Sequence, residues 1–236
     1  MKVIASYNIK GGVGKTAIAV NLAFAAVKAK HRTLLWDLDE QGGAGAILGR
    51  PFELPVRRGR RTYRLRDHIE ASAWAGLDLL PADGLVHFLD RHDRPKHLRE
   101  LLERISDDYD RVVLDCPPTL GLVAEQIFEL ADLIVVPIIP SSLSMNAYQQ
   151  LQAYAEARSG AKPRFLPVFS MVDRRRRSHR EAIDAEAGHL AIPYAAAVEQ
   201  MSVWRQPVAV AAPRSPAAQP LEALWESVEA ALRART

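Results

Sequence analysis

The stretch KVIASYNIKGGVGKTA, residues 2–17, decides how the rest of the chain is read. Val3, Ile4 and Tyr7 give Lys2 to Asn8 the apolar, β-prone character of a buried strand. The turn Lys10-Gly11-Gly12-Val13-Gly14-Lys15-Thr16 follows, and from Ala17 to Lys30 alanines and larger apolar residues recur at helical spacing. A strand, a glycine turn and a helix in that order aim several backbone N–H groups and the positive helix end at one point, which suits a polyphosphate. Gly11, Gly12, Val13, Gly14 and Ala17 are expected to surround that point. Lys15 would bring a mobile charge to the phosphates, and the Thr16 hydroxyl would ligate Mg²⁺.

Outward from this unit the rhythm repeats. Arg32 to Leu38 reads as a second strand ending in Asp37 and Asp39. Residues 76–81 (GLDLLP), 111–118 (RVVLDCPP), 133–140 (LIVVPIIP) and 164–172 (RFLPVFSMV) read as further strands separated by helical stretches. Continuous apolar strands belong to parallel sheets covered on both sides. The expectation is an α/β fold, a doubly wound and mostly parallel sheet with helices on both faces, as a single domain over residues 1–236. In such sheets ligands sit beyond the carboxyl ends of the strands, where the glycine turn, Asp37, Asp39, Asp115 and Asp173 are all expected.

Three stretches depart from the pattern. Residues 50–66 hold seven arginines (Arg50, Arg57, Arg58, Arg60, Arg61, Arg64, Arg66) and read as a basic variable loop. Arg174 to Arg177 are four consecutive arginines just after a strand. Residues 213–220 read as a turn-rich linker into a last helix, 221–233, with an apolar stripe of Leu221, Leu224, Trp225, Val228 and Leu232.

With 48% hydrophobic and 25% charged residues among 236, the chain can bury a sizeable core, and its net charge of +3 leaves room for a local basic face. Cys116 is the one cysteine, so no intramolecular disulfide forms and no cysteine-based zinc or iron–sulfur site can be completed within the chain. The seven histidines lack metal-ligand spacing. No stretch reaches the roughly 18 apolar residues of a membrane span, and a soluble protein of a reducing cytoplasm is expected.

The glycine turn also carries a deviation. Ile9 stands where the pattern G-x-x-x-x-G-K-[ST] has its first glycine, and a second lysine, Lys10, enters the loop. In this it resembles the KGGVGKT signature of the ParA/MinD family, the deviant Walker A ATPases. Residues 37–42 (DLDEQG) resemble that family's DLDPQG segment, with Glu40 in the proline's place. Residues 115–121 (DCPPTLG) resemble its DCPPSLG segment, and 171–175 (MVDRR) its nucleotide-base region. The likeness spans most of residues 1–210.

The resemblance implies a P-loop ATPase using ATP and Mg²⁺, which closes as a homodimer with two ATP molecules sandwiched between subunits. Lys10 would cross to the partner's phosphates. Asp39 would orient the attacking water, and Asp115, the Walker B acid, would hold the metal's water shell with Thr16 and Asp37 nearby. Met171, Val172, Pro193 and Val198 would line the base pocket. ParA-type members bind double-stranded DNA non-specifically as ATP dimers, and a ParB-like or adaptor protein triggers hydrolysis, moving a plasmid, chromosome region or protein assembly. Such a protein is cytoplasmic and nucleoid-associated in its ATP state. Arg174, Arg175, Arg176, Arg177, Arg180 and Arg205 are the expected phosphate contacts. With the loop so near Met1, no sequence-reading DNA domain is expected ahead of it. Two alternatives stand beside this: a MinD-like membrane switch using the last helix, opposed by Glu222, Glu226 and Glu229, and an ATP-dependent biosynthetic ligase of the same superfamily.

Overall fold

Lys2–Ser6 form β1, and every residue after Lys2 in it is buried. The computed structural model describes residues 1–48, 65–82, 97–158 and 163–234. The arginines from Arg50 to Arg64 lie outside the described residues. From β1 the chain passes through α1 (Lys15–Lys28) to β2 (Thr33–Asp37) and the short α2 (Gly43–Ile47). Then come β3 (Glu70–Ala71), β4 (Leu77–Leu80), α3 (His97–Glu103), β5 (Arg111–Asp115), α4 (Leu122–Leu130), β6 (Leu133–Ile138), α5 (Ser142–Arg158) and β7 (Phe165–Val172). The last part holds α6 (Arg177–Ala185), β8 (Leu190–Pro193), three single-turn helices α7 (Ala196–Glu199), α8 (Met201–Trp204) and α9 (Val208–Ala211), and α10 (Ala218–Arg233).

The strands form one eight-stranded sheet in the order β3-β4-β2-β5-β1-β6-β7-β8. All pairs are parallel except β3 with β4. Side chains alternate across it with the period of two that strands impose. Val3, Ala5, Leu34, Trp36, Val112 and Leu114 join α3, α4 and α5 in one core layer. Ile4, Leu35, Val113 and Val135 face the other way, into α1, α2 and α10. This is the expected doubly wound architecture.

Strand order places the site. From β1 the chain leaves through α1 on one face of the sheet, and from neighbouring β5 through α4 on the other, so a crevice opens where the two exits diverge. Register then sets Ser6, Asp115 and Asp37 level with one another at the ends of three adjacent strands.

Two expectations are corrected. The last helix starts at Ala218 rather than at 221, which takes Pro220 into its first turn, where a missing N–H costs nothing. Its apolar stripe is committed to the core: Leu221, Leu224, Trp225 and Val228 are buried with α1. Glu229 is also engaged, accepting from Arg111 at the start of β5 at 2.9 Å, with both side chains largely buried. Strands β3 and β8 were not expected; β3, at two residues, is too short for its periodicity to register.

Candidate functional site

The P-loop is shaped by its glycines. Gly12 and Gly14 have φ of 70° and 91°, left-handed values that a side chain would make costly, and Gly14 caps α1. The loop is also tied to its surroundings. The Ser6 hydroxyl donates to the Lys15 carbonyl at 2.9 Å, the Ser170 hydroxyl to the Val13 carbonyl at 2.8 Å, and Asn8 bridges from the Pro137 carbonyl at 2.7 Å to the Lys10 N–H at 2.9 Å. Three strands thus hold the loop open around the start of α1. Both lysines are parked: the Lys15 ammonium donates to the Lys10 carbonyl at 3.1 Å, and the Lys10 ammonium to the Ser144 hydroxyl at 3.3 Å. Ser144 Oγ is itself held by Ser141 Oγ at 2.9 Å.

The acidic side of the site contains three carboxylates with distinct environments. Asp115 is fully buried, and neither of its oxygens has a hydrogen-bond partner of good geometry; the neighbouring Thr16 hydroxyl favours its charged form, but less than burial opposes it. Burial, then the nearby Asp37, pushes its carboxyl well above the usual range. Asp37 is also buried, but its oxygens accept from the N–H groups of Asp39 at 3.1 Å, Ala44 at 3.0 Å and Gly45 at 3.3 Å. Burial lifts its pKa to about 7 despite those three bonds. Asp37 therefore pins the β2–α2 turn. Asp39 is only half-buried and accepts from the Gln41 N–H at 3.0 Å. Burial lowers the Lys15 pKa, an effect that Asp115 and then Asp39 oppose.

Two buried carboxylates, one with both oxygens unpartnered, are costly unless a cation arrives. The chain's own cation, Lys15, is bound elsewhere. The donor set of Thr16 hydroxyl and Asp115 carboxylate, all oxygen, fits Mg²⁺. Gly43 keeps this corner open, since a Cβ there would stand 3.0 Å from Thr16 Cγ2. Gly43→Ala, a substitution that normally favours a helix, is therefore expected to displace Thr16 and weaken Mg²⁺-dependent nucleotide binding about tenfold without lowering the melting temperature. Calorimetric titration with and without Mg²⁺ checks this, and equal affinity in both proteins would contradict it.

A cleft beside the loop is lined by Gly14, Ala17, Ile18, Ser170, Met171, Ile192, Pro193, Tyr194, Ala195, Val198, Glu199 and Leu221. Met171, Pro193 and Val198, read from the sequence as base contacts, are thus brought together against Ala17. Val172 is not among them: its side chain, 4% exposed, packs in the opposite core layer. The cause is an irregularity at the end of β7: the pairing with β8 shifts register between Phe169 and Val172, and Met171 takes a left-handed φ of 52°, so the strict alternation that would have sent Val172 to the cleft side is broken. Leu221 was missed because its stripe reads only as helix packing.

The arginines divide into three groups. Arg175 makes a bidentate pair with Asp173, at 2.9 and 3.0 Å, and Arg177 pairs with Glu181 at 2.6 Å. Arg180 donates to the carbonyls of Arg174 and Arg175 at 2.7 and 3.1 Å, closing the loop. Buried His179 adds a second closure, accepting through Nδ1 from the Asp173 N–H at 3.1 Å. Arg174, Arg176 and Arg205 are exposed and have no ion pair among the described residues.

Known proteins resemble this chain in sequence and in fold. The AAA domain family matches residues 1–162. The chromosome partitioning protein ParA of Caulobacter vibrioides is 33% identical over 196 residues, covering 74% of this chain and 71% of that protein. ParA of Myxococcus xanthus is 32% identical over 163 residues, 64% of this chain and 56% of that protein. Among solved structures, the cell division ATPase MinD of Pyrococcus furiosus superposes with a TM-score of 0.76 at 21% identity, covering 97% of this chain and 98% of that one. The cobyrinic acid a,c-diamide synthase of Mycobacterium smegmatis, with bound ADP and magnesium, gives 0.75 at 21% identity over 97% and 94%. The fold is shared by both, so fold alone does not choose between a positioning ATPase and a ligase.

Proposed function

Because the chain belongs to the ParA/MinD family of ATPases, we propose that it is a partitioning or positioning ATPase that dimerises around ATP and hydrolyses it when a partner protein acts. The observation that carries this is Lys10, an extra lysine held at the mouth of a P-loop whose own lysine and threonine adjoin an unpartnered buried carboxylate. The phosphates would lie in the loop between Gly11 and Thr16, the base in the cleft of Ala17, Met171, Pro193 and Val198. Lys15 would leave the Lys10 carbonyl for phosphate oxygen, and Thr16 and Asp115 would hold Mg²⁺. The metal, when bound, neutralises the charge that develops on the phosphates. Asp39, at the solvent edge of the site, would accept a hydrogen bond from the attacking water and fix its direction.

Lys10 has a different task. Its hold on Ser144 is a single long bond, easily exchanged for the phosphates of a second subunit's nucleotide. Lys10→Ala is expected to bind ATP and stay monomeric, whereas the parent chain dimerises. Size exclusion with ATP and Mg²⁺ tests this, and an ATP dimer of the variant would remove the role of Lys10 across the interface.

The surface served by such a dimer is read as non-specific double-stranded DNA, with Arg174, Arg176 and Arg205 as the phosphate contacts because their charges are not spent locally among the described residues. Three arginines in each of two protomers give a slope of about −5 for log K against log[salt]. Arg174→Ala with Arg176→Ala should flatten that slope by about 3 to 4. Binding that ignores salt would contradict the reading. It follows that the protein would work in the cytoplasm, nucleoid-associated in its ATP state, with a ParB-like or adaptor protein as trigger. A membrane switch is disfavoured by the burial of the α10 stripe, and among the described residues no helix is long and apolar enough to cross a membrane.

A further inference from the structure

At the sheet edge opposite the P-loop, a cleft of about 500 Å³ opens between the end of α1 and the turn joining β3 to β4. Phe24, Val27 and Trp74 give it an apolar wall, and Lys28, Lys30 and Arg32 a cationic rim. Phe24 and Trp74 meet edge to face with centroids 5.7 Å apart, and both rings stay partly exposed. The turn that presents the indole is tightly fixed. Trp74 N–H donates to Ser72 Oγ at 3.1 Å, Leu77 N–H to the Trp74 carbonyl at 3.0 Å, and Ser72 N–H to the Leu77 carbonyl at 3.1 Å. Gly76, with φ of 88°, completes it, its carbonyl accepting from Thr33 N–H at 2.8 Å. A partly exposed ring carried on a fixed turn and set against Phe24 loses less entropy than a free one when something packs on it.

Lys30 is the second observation. It follows the end of α1 with φ of 69°, in the left-handed position where helices usually place glycine. A lysine there gives up stability that glycine would keep, and what it gains is a cation at the rim. Lys30 has no ion pair among the described residues. Its neighbours are only loosely committed: Lys28 to Glu222 at 2.9 Å and Arg32 to Asp110 at 3.5 Å, both on the surface, where such pairs exchange readily.

We propose that this cleft binds a small amphipathic anion, its planar or apolar body against Phe24 and Trp74 and its carboxylate, phosphate or sulfonate on Lys30 and Arg32. The volume lies within the range of small-molecule sites. The cleft shares no residue with the nucleotide site and does not depend on the function assigned there.

The test uses the full chain with saturating ATP and Mg²⁺, titrated with the aromatic anion 8-anilinonaphthalene-1-sulfonate and followed by probe fluorescence. Saturable one-to-one binding is expected. Lys30→Gly should weaken it about tenfold, as removal of one charge-assisted hydrogen bond requires, while the melting temperature holds or rises. Trp74→Leu should weaken it likewise, and the neutral N-phenyl-1-naphthylamine should bind at least about tenfold less tightly. Unchanged binding to the Lys30→Gly protein, or equal binding of the neutral probe, overturns the assignment. Failure of ATP to bind would instead count against the nucleotide reading and leave the probe result intact.

Discussion

Replacing Lys15 by alanine is expected to abolish nucleotide binding at concentrations that saturate the parent protein. The Lys15 side chain is almost fully enclosed, 7% exposed, in a loop whose other donors are backbone N–H groups. Burial lowers its pKa, and Asp115 and then Asp39 only partly offset this by favouring the charged form. A polyphosphate would favour the charged form directly. A charge-assisted hydrogen bond contributes about 1.5–3 kcal/mol, so removing two implies a rise in Kd of at least about 100-fold. The substitution leaves the fold intact, because the bonds that shape the loop come from Ser6, Asn8 and Ser170. Titration calorimetry with ATP and Mg²⁺ reads the outcome. Affinity within a few-fold of the parent would show that the phosphates lie elsewhere.

The second large effect concerns turnover rather than binding. Asp39→Ala is expected to keep ATP affinity and dimerisation but to lower the rate of phosphate release about 100-fold, within the range general acid–base groups contribute. The three carboxylates divide the labour between them. Asp115 is buried with neither oxygen in a hydrogen bond of good geometry, Asp37 is spent on three backbone N–H groups, and half-buried Asp39 accepts from the Gln41 N–H through Oδ1. Because Asp39 also accepts from Gln41, Asp39→Asn serves as a control that preserves the turn. Phosphate release from Asp39→Ala at the parent rate would reassign the water-positioning role.

Much of this was legible from residues 2–17 and the strand-end aspartates, because a parallel sheet has one chemically useful edge and apolar strands announce themselves. Asp37 and Asp115 end level with Ser6, as strand register requires, and Asp39 and Asp115 are near enough to act on Lys15, whereas Asp173, expected beside them, is engaged by Arg175. Other features were hidden for physical reasons. Val172 and Met171 are adjacent in sequence, and what separates a core residue from a cleft residue is the register shift near the end of β7 and the left-handed backbone of Met171, which periodicity does not announce. The arginine set reads as six similar cations, whereas ion pairs with Asp173 and Glu181 and the bonds from Arg180 to loop carbonyls leave three without such partners among the described residues. That Leu221 should join the same cleft as Gly14 depends on the packing of α10 against α1, which no local pattern encodes.

Leu221 also bears on the order in which the protein is made. The P-loop leaves the ribosome well before α10, and the carboxylates follow by residue 115, yet the last residue lining the cleft, Leu221, arrives only with α10. A nascent chain stalled before that residue would hold the glycine loop without the last residue that lines the cleft proposed for the base, and its sheet would lack the Arg111–Glu229 clasp. Under the proposed assignment, the cleft would be complete only once translation has passed the first turn of α10.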